Sequence, residues 1–148
     1  MLIKKRRPTS KQAGFSLFEM LVALGIMALL AAVIAPRVIG YLGRAKEDVA
    51  RSEMSNIITS LELYYLDVGR YPTEEQGLAA LMEAPQVEGA AIPGWRGPYM
   101  NPEDGVTDPW GASYGYAYDA DTDRVRVISY GRDNAPGGEG EDSDLVAS

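Results

Sequence analysis

Carboxylates are the only side chains here whose spacing suggests chemistry. The 148 residues include no histidine and no cysteine, which excludes disulfides, thiol nucleophiles, Cys/His zinc sites and Ser-His-Asp or Cys-His catalysis. Asp119, Asp121 and Asp123 alternate as in a calcium loop. An EF-hand beginning at Asp119 would need Gly at its sixth position and Glu at its twelfth, where Arg124 and Tyr130 stand. The alternation reads as a turn instead. A denser group lies near the end: Asp133, Glu139, Glu141, Asp142 and Asp144 crowd into twelve positions with Gly137, Gly138 and Gly140, and no basic residue comes after Arg132. Two readings stay open for it. The segment is either a solvated acidic tail or a flexible set of carboxylates and carbonyls suited to a hard cation such as Ca2+.

One more carboxylate stands apart. Glu19 is the single charge in the apolar run from Phe15 to Ala35, 21 residues long, which as an α-helix spans roughly 30 Å, the thickness of a bilayer core. Lys4, Lys5, Arg6, Arg7 and Lys11 precede the run without an acid among them, so residues 1–14 stay cytoplasmic and the bulk of the chain lies outside. A carboxylate deep in lipid costs roughly 3 kcal/mol. Glu19 therefore either snorkels to the interface or meets a partner, and because an unpaired buried charge is expensive, such a pairing fixes register.

The ends of the run point to how it is processed. Val33-Ile34-Ala35 would be a small-x-small secretory cleavage site, but Pro36 comes directly after it. Gly14-Phe15-Ser16-Leu17-Phe18-Glu19 resembles the type IV prepilin signal. That resemblance implies a prepilin peptidase that cuts between Gly14 and Phe15, methylates the new amine of Phe15, and leaves the apolar helix attached. It also implies a role for Glu19 in assembly, paired with the Phe15 ammonium of a neighbouring subunit.

Periodicity defines the remaining elements. Pro36 removes a ladder donor and is expected to kink the helix where it leaves the membrane. Beyond Gly40 and Gly43, Ala50, Met54, Ile57, Leu61, Tyr64 and Val68 recur at spacings of four and three, with Glu47, Arg51, Ser55 and Glu62 on other faces. That stripe is read as the face on which the soluble part packs, with a coiled-coil or filament contact as the alternative. Gly69 suits a left-handed cap, and Tyr71-Pro72 forbids continuation. Thr73-Glu74-Glu75-Gln76 reads as a capping box opening a short helix to about Met82. A Pro- and Gly-rich loop pinned by Trp95 and Trp110 comes next. Tyr114 to Tyr118 and Arg124 to Ile128 alternate as an antiparallel hairpin about the Asp119–Asp123 turn, and Tyr99-Met100 is the candidate third strand.

Composition sets outer limits. Removing residues 1–14 takes five of the 14 basic residues and leaves nine against 21 acids, a net charge of −12, so nucleic acid is excluded as a partner. After the span, about 110 residues remain, enough for one core and not two.

Four segments taken in order carry a wider resemblance: Arg70-Tyr71-Pro72-Thr73-Glu74-Glu75-Gln76-Gly77-Leu78, Gly97-Pro98-Tyr99, Asp108-Pro109-Trp110-Gly111, and Ser129-Tyr130-Gly131-Arg132-Asp133. Together they resemble the major pseudopilins of the type II secretion system over nearly all of the mature chain. The resemblance implies an α+β pilin-like fold, with a long N-terminal helix on a small antiparallel sheet and a C-terminal calcium loop. It implies residues 1–14 as leader, 15–36 as membrane and filament-core helix, and 37–148 as periplasmic domain. The Ca2+ ligands would be the Tyr130 carbonyl, the Asp133 carboxylate, a carbonyl near Gly138, and carboxylates from the Asp142-Ser143-Asp144 segment, where Ser143 separates aspartates that are adjacent in many members. The expected setting is the inner membrane and periplasm. The expected partners are further copies in a homopolymer, minor pseudopilins, the prepilin peptidase, an assembly ATPase with its membrane platform, and a secretin. No catalytic residue is expected. A type IV pilin, which commonly closes its C-terminal loop with a disulfide, and a membrane-anchored enzyme built on paired carboxylates are the competing readings.

Overall fold

The computed structural model describes residues 14–87, 89–101 and 106–148. Helix α1 runs from Leu17 to Val68 and passes through Pro36 without interruption. The chain divides into two compact units, one ending at Ile39 and one formed by Gly40–Ser148.

In the first unit every large apolar side chain from Phe15 to Ile39 is exposed. This is the one helix among the described residues long and apolar enough to cross a membrane. Such a continuous apolar surface is not left in water by a monomeric protein; it belongs in lipid or against other chains.

The second unit has its own core. Ala50, Met54, Ile57, Leu61 and Tyr64 form the buried stripe of α1, as the spacing of four and three requires. They pack with Leu78, Leu81, Tyr114, Val125, Val127 and Leu145. Each large aliphatic side chain buried in this way contributes roughly 1.5–3 kcal/mol. Gly69 ends the helix at φ +81, its N–H donating to the Tyr65 carbonyl at 2.8 Å.

Thr73 and Gln76 form the reciprocal capping pair: the Thr73 N–H donates to Gln76 Oε1 at 3.0 Å and the Gln76 N–H to Thr73 Oγ1 at 3.3 Å. The pair opens the expected short helix, which is of the 3-10 type, Gly77–Leu81. A two-residue ribbon comes next, β1 (Gln86–Val87) against β2 (Ala90–Ala91); nothing in its composition announces it.

The main sheet has three strands in the order β3 (Gly115–Asp119), β4 (Arg124–Ser129) and β5 (Leu145–Ala147), all antiparallel. Val125 and Val127 face the core while Arg124 and Arg126 face water, the period-two pattern of a half-buried strand. The third strand is therefore C-terminal, with Ser129 opposite Leu145 and Val127 opposite Ala147. The expectation for Tyr99-Met100 is corrected. The Tyr99 N–H donates to the Leu81 carbonyl at 2.8 Å, its carbonyl accepts from Ser60 Oγ at 3.1 Å, and its hydroxyl donates to Asp67 Oδ2 at 3.0 Å. With its backbone groups committed to α1 and the 3-10 helix, that segment has none left for a ladder. Trp95 pins the same loop by donating its indole N–H to the Ala80 carbonyl at 3.0 Å.

Candidate functional site

Two places, one in each unit, carry the residues singled out by sequence. At the start of the apolar arm, Gly14 and Phe15 precede α1 and Phe15 is exposed. Ser16 caps the helix: its Oγ accepts the Glu19 N–H at 3.2 Å. Glu19 thus stands at the third helical position, beside the positive end of the helix dipole, where a carboxylate is electrostatically favoured. The Ser-x-x-Glu spacing is visible in the sequence, but the prepilin resemblance draws the eye to its glutamate alone. Ser16 is a residue that sequence reasoning missed.

The acidic C-terminal segment is a closed loop rather than a loose tail. At its base the Arg132 N–H donates to the Glu141 carbonyl at 2.8 Å, and the Arg132 guanidinium grips both oxygens of Asp142 at 2.9 Å. That fork-to-fork pairing holds the Arg132 pKa above its usual value. Asp133 Oδ1 accepts the Ala135 N–H at 3.1 Å, and both Asp144 oxygens lie 3.0 Å from the Gly137 N–H. The Ser143 hydroxyl donates to the Gly140 carbonyl at 2.8 Å.

Two glycines are obligatory there. Gly138, at φ +88, lies against the Asp142 carbonyl so closely that a Cβ would collide with it, and Gly131, at φ +67, lies in the same way against the Glu141 carbonyl. Close approach of main chain to main chain with a positive φ leaves glycine as the residue that fits.

Of the candidate ligands, then, the loop brings Gly138 to Asp142 and places Asp144 next to it through Gly137. Asp142 is engaged by Arg132, and Tyr130 is half-buried at the end of β4. Among the described residues no three Asp or Glu side chains converge as a metal cage. A cation here would draw on the Asp133 and Asp144 carboxylates together with main-chain carbonyls. Mixed sets of that kind suit Ca2+, which takes six to eight oxygens in flexible geometry.

The Asp119–Asp123 turn serves itself. Asp119 Oδ1 accepts the Asp121 N–H at 3.0 Å, and hydrogen bonds from Thr122 and Asp121 hold its pKa below the ordinary value.

The Asp108-Pro109-Trp110-Gly111 motif has a clear structural task. Asp108 is buried, and its Oδ1 accepts the N–H groups of Trp110 at 3.1 Å and Ala112 at 2.9 Å while Oδ2 accepts the Ser129 hydroxyl at 2.6 Å. A buried carboxylate with three donors is fully compensated. The turn that it fixes presents the Trp110 indole to the C-terminal loop, at Glu141 Oε2, 3.4 Å away.

Comparison with known proteins adds five matches. A family profile described as type II secretion system protein G matches residues 37–148, and one described as a prokaryotic N-terminal methylation motif matches residues 9–35. The chain is 32% identical over 134 residues to the type II secretion system core protein G of Xanthomonas campestris pv. campestris, covering 90% of this chain and 88% of that one. It is 34% identical over 154 residues to the protein of that name from Vibrio cholerae, covering 97% and 94%. Among solved structures it resembles the major pseudopilin of the type 2 secretion system of enterohaemorrhagic Escherichia coli, with a TM-score of 0.56 and 29% identity over 75% of this chain and 93% of that chain.

Proposed function

The chain belongs to the type II secretion system protein G family, and from that premise we propose how its two units do their work. It is a structural subunit of the pseudopilus. The proposal concerns processing, partners and the order of events. A prepilin peptidase cuts between Gly14 and Phe15 and methylates the Phe15 amine. The subunit then waits in the inner membrane, single-pass, with residues 37–148 in the periplasm. An ATPase and a membrane platform extract it into a helical filament, with minor pseudopilins as further partners, and that filament drives folded exoproteins through a secretin. No step in this is catalytic.

One observation carries the proposal: an arm whose every large apolar side chain is exposed, with a single acid at its helix start. Lipid satisfies such an arm before assembly, and identical arms satisfy it afterwards. Glu19 then meets the amine of an incoming Phe15, since leaving either charge alone in a greasy bundle is the costly alternative. Replacing Glu19 tests this. Glu19→Ala is expected to abolish pseudopilus assembly in cells while the protein still accumulates in the membrane; assembly at the normal level would refute the pairing.

For the C-terminal loop the proposed occupant is Ca2+, held by Asp133, Asp144 and the carbonyls of Tyr130 and Gly138, with the Asp142–Asp144 main chain alongside. When bound, the ion supplies positive charge that cancels repulsion among the loop's acids. A ligand that binds only the folded form stabilises it by about 2.7 kcal/mol at a hundredfold excess over Kd. Asp133→Ala and Asp144→Ala are each expected to lower Tm in calcium and to abolish the response to chelator. A chelator response unchanged in both variants would remove the metal from the account.

A further inference from the structure

Of the five acids in the C-terminal loop, Asp133, Asp142 and Asp144 accept hydrogen bonds from within it and Glu139 faces water. Glu141 alone reaches out. Its Cδ and Oε1 lie 2.6 Å, and its Cγ 2.7 Å, from where a Cβ on Gly43 would stand. The carboxylate therefore rests on the bare backbone of α1, at a position buried between exposed neighbours.

Its other oxygen accepts the Trp110 indole N–H at 3.4 Å, and the Lys46 ammonium lies 6.0 Å from the centre of the Trp110 ring, one turn along α1 from Gly43. Trp110 is itself aimed by the buried Asp108. The main chain of the same glutamate closes the base of the loop, its carbonyl accepting the Arg132 N–H at 2.8 Å. One residue thus ties the loop shut with its backbone and fastens it to the helix with its side chain.

We propose that Glu141 clasps the C-terminal loop to α1, with Gly43 as its seat and Trp110 as its anchor, making all three positioning residues for pseudopilus assembly. The clasp joins the acid-rich loop to the first turn of the Gly40–Ser148 unit. Order gained in the loop is then felt at the helix. The effect of calcium on the clasp rests on the metal reading of the loop; the clasp in metal-free protein does not.

Gly43→Ala is the discriminating variant. Alanine is the better helix former, and the atoms that it displaces are the far end of a flexible side chain, so α1 persists while Glu141 is pushed off its seat. In full-length protein held in detergent and labelled with fluorotryptophan, Trp95 and Trp110 give two resonances, assigned with Trp110→Phe. Without metal, Gly43→Ala and Glu141→Ala are each expected to shift the Trp110 resonance and leave that of Trp95 in place. Combining them is expected to add nothing, because both break one contact. Glu141→Gln, which keeps the length and an acceptor for the indole, is expected to stay near the wild-type position. In cells, Gly43→Ala is expected to cause a loss of assembly that Glu141→Gln does not share.

With calcium chloride added, the wild-type Trp110 resonance is expected to move, whereas Gly43→Ala takes up calcium with unchanged heat and its Trp110 stays still. An unmoved Trp110 in both metal-free variants would overturn the clasp. Absence of any calcium heat in the wild type would overturn the metal reading alone, and the metal-free shift would still decide the clasp.

Discussion

The arm that ends at Ile39 and the unit formed by Gly40–Ser148 bury apolar surface in opposite ways. In the second unit the stripe from Ala50 to Tyr64 is covered by the chain's own sheet and 3-10 helix. In the first, side chains of the same kind stand exposed among the described residues. The apolar residues of the body thus serve the stability of one subunit. Those of the arm serve a solvent or a neighbour, and substitutions should separate the two.

The largest contrast is Leu61→Ala. Leu61 is fully buried, so its truncation is expected to cost the body about 2–5 kcal/mol, read by urea unfolding. A loss as small as that of a surface substitution would mean that α1 does not hold the core.

Next comes the buried polar core. Ser129→Ala removes one of the three donors to Asp108 and is expected to cost about 1–3 kcal/mol, with a change in Trp110 emission because the turn that aims this ring is loosened.

A smaller effect is expected from alkali. Burial, and then the hydrogen bond to Glu53 at 2.7 Å, raise the Tyr114 pKa, and burial raises that of Tyr116, both well above the phenol value of 10.0. The folded state therefore holds these protons longer than the unfolded chain does. Their contribution to stability is complete below pH 10.0 and is lost as pH rises above it toward the folded-state pKa values. Absorbance titration is expected to show both phenols ionising after the exposed ones; simultaneous ionisation of all nine tyrosines would contradict the packing.

The smallest effect is the matched control. Leu24→Ala in the arm, where Leu24 touches no core, is expected to leave the unfolding of the body within about 0.5 kcal/mol. A larger change would erase the distinction between the two regions.

Where sequence reading succeeds and where it fails tracks a division between local and distant contacts. The stripe on α1, the Thr73–Gln76 capping pair and the β3–β4 hairpin are written in spacings of two to four residues, so periodicity exposes them. β5 is three residues long and is defined by a partner across the acidic loop; no local pattern marks Leu145–Ala147 as a strand. Tyr99 has a β-forming side chain, but its main chain is claimed by Leu81 and Ser60. In the sequence Glu141 is one solvated acid among five. Its partner Gly43 is distant along the chain, and a glycine in a helix announces flexibility before it announces a seat for someone else's carboxylate.

Everything that separates arm from body presumes that the arm stays on the protein. Mass spectrometry of the subunit recovered from assembled pseudopili measures this directly. The expected product begins at Phe15, carries one methyl group on its amine and retains the whole apolar helix. A subunit beginning beyond Ala35 would leave the filament with no greasy core and would contradict the account.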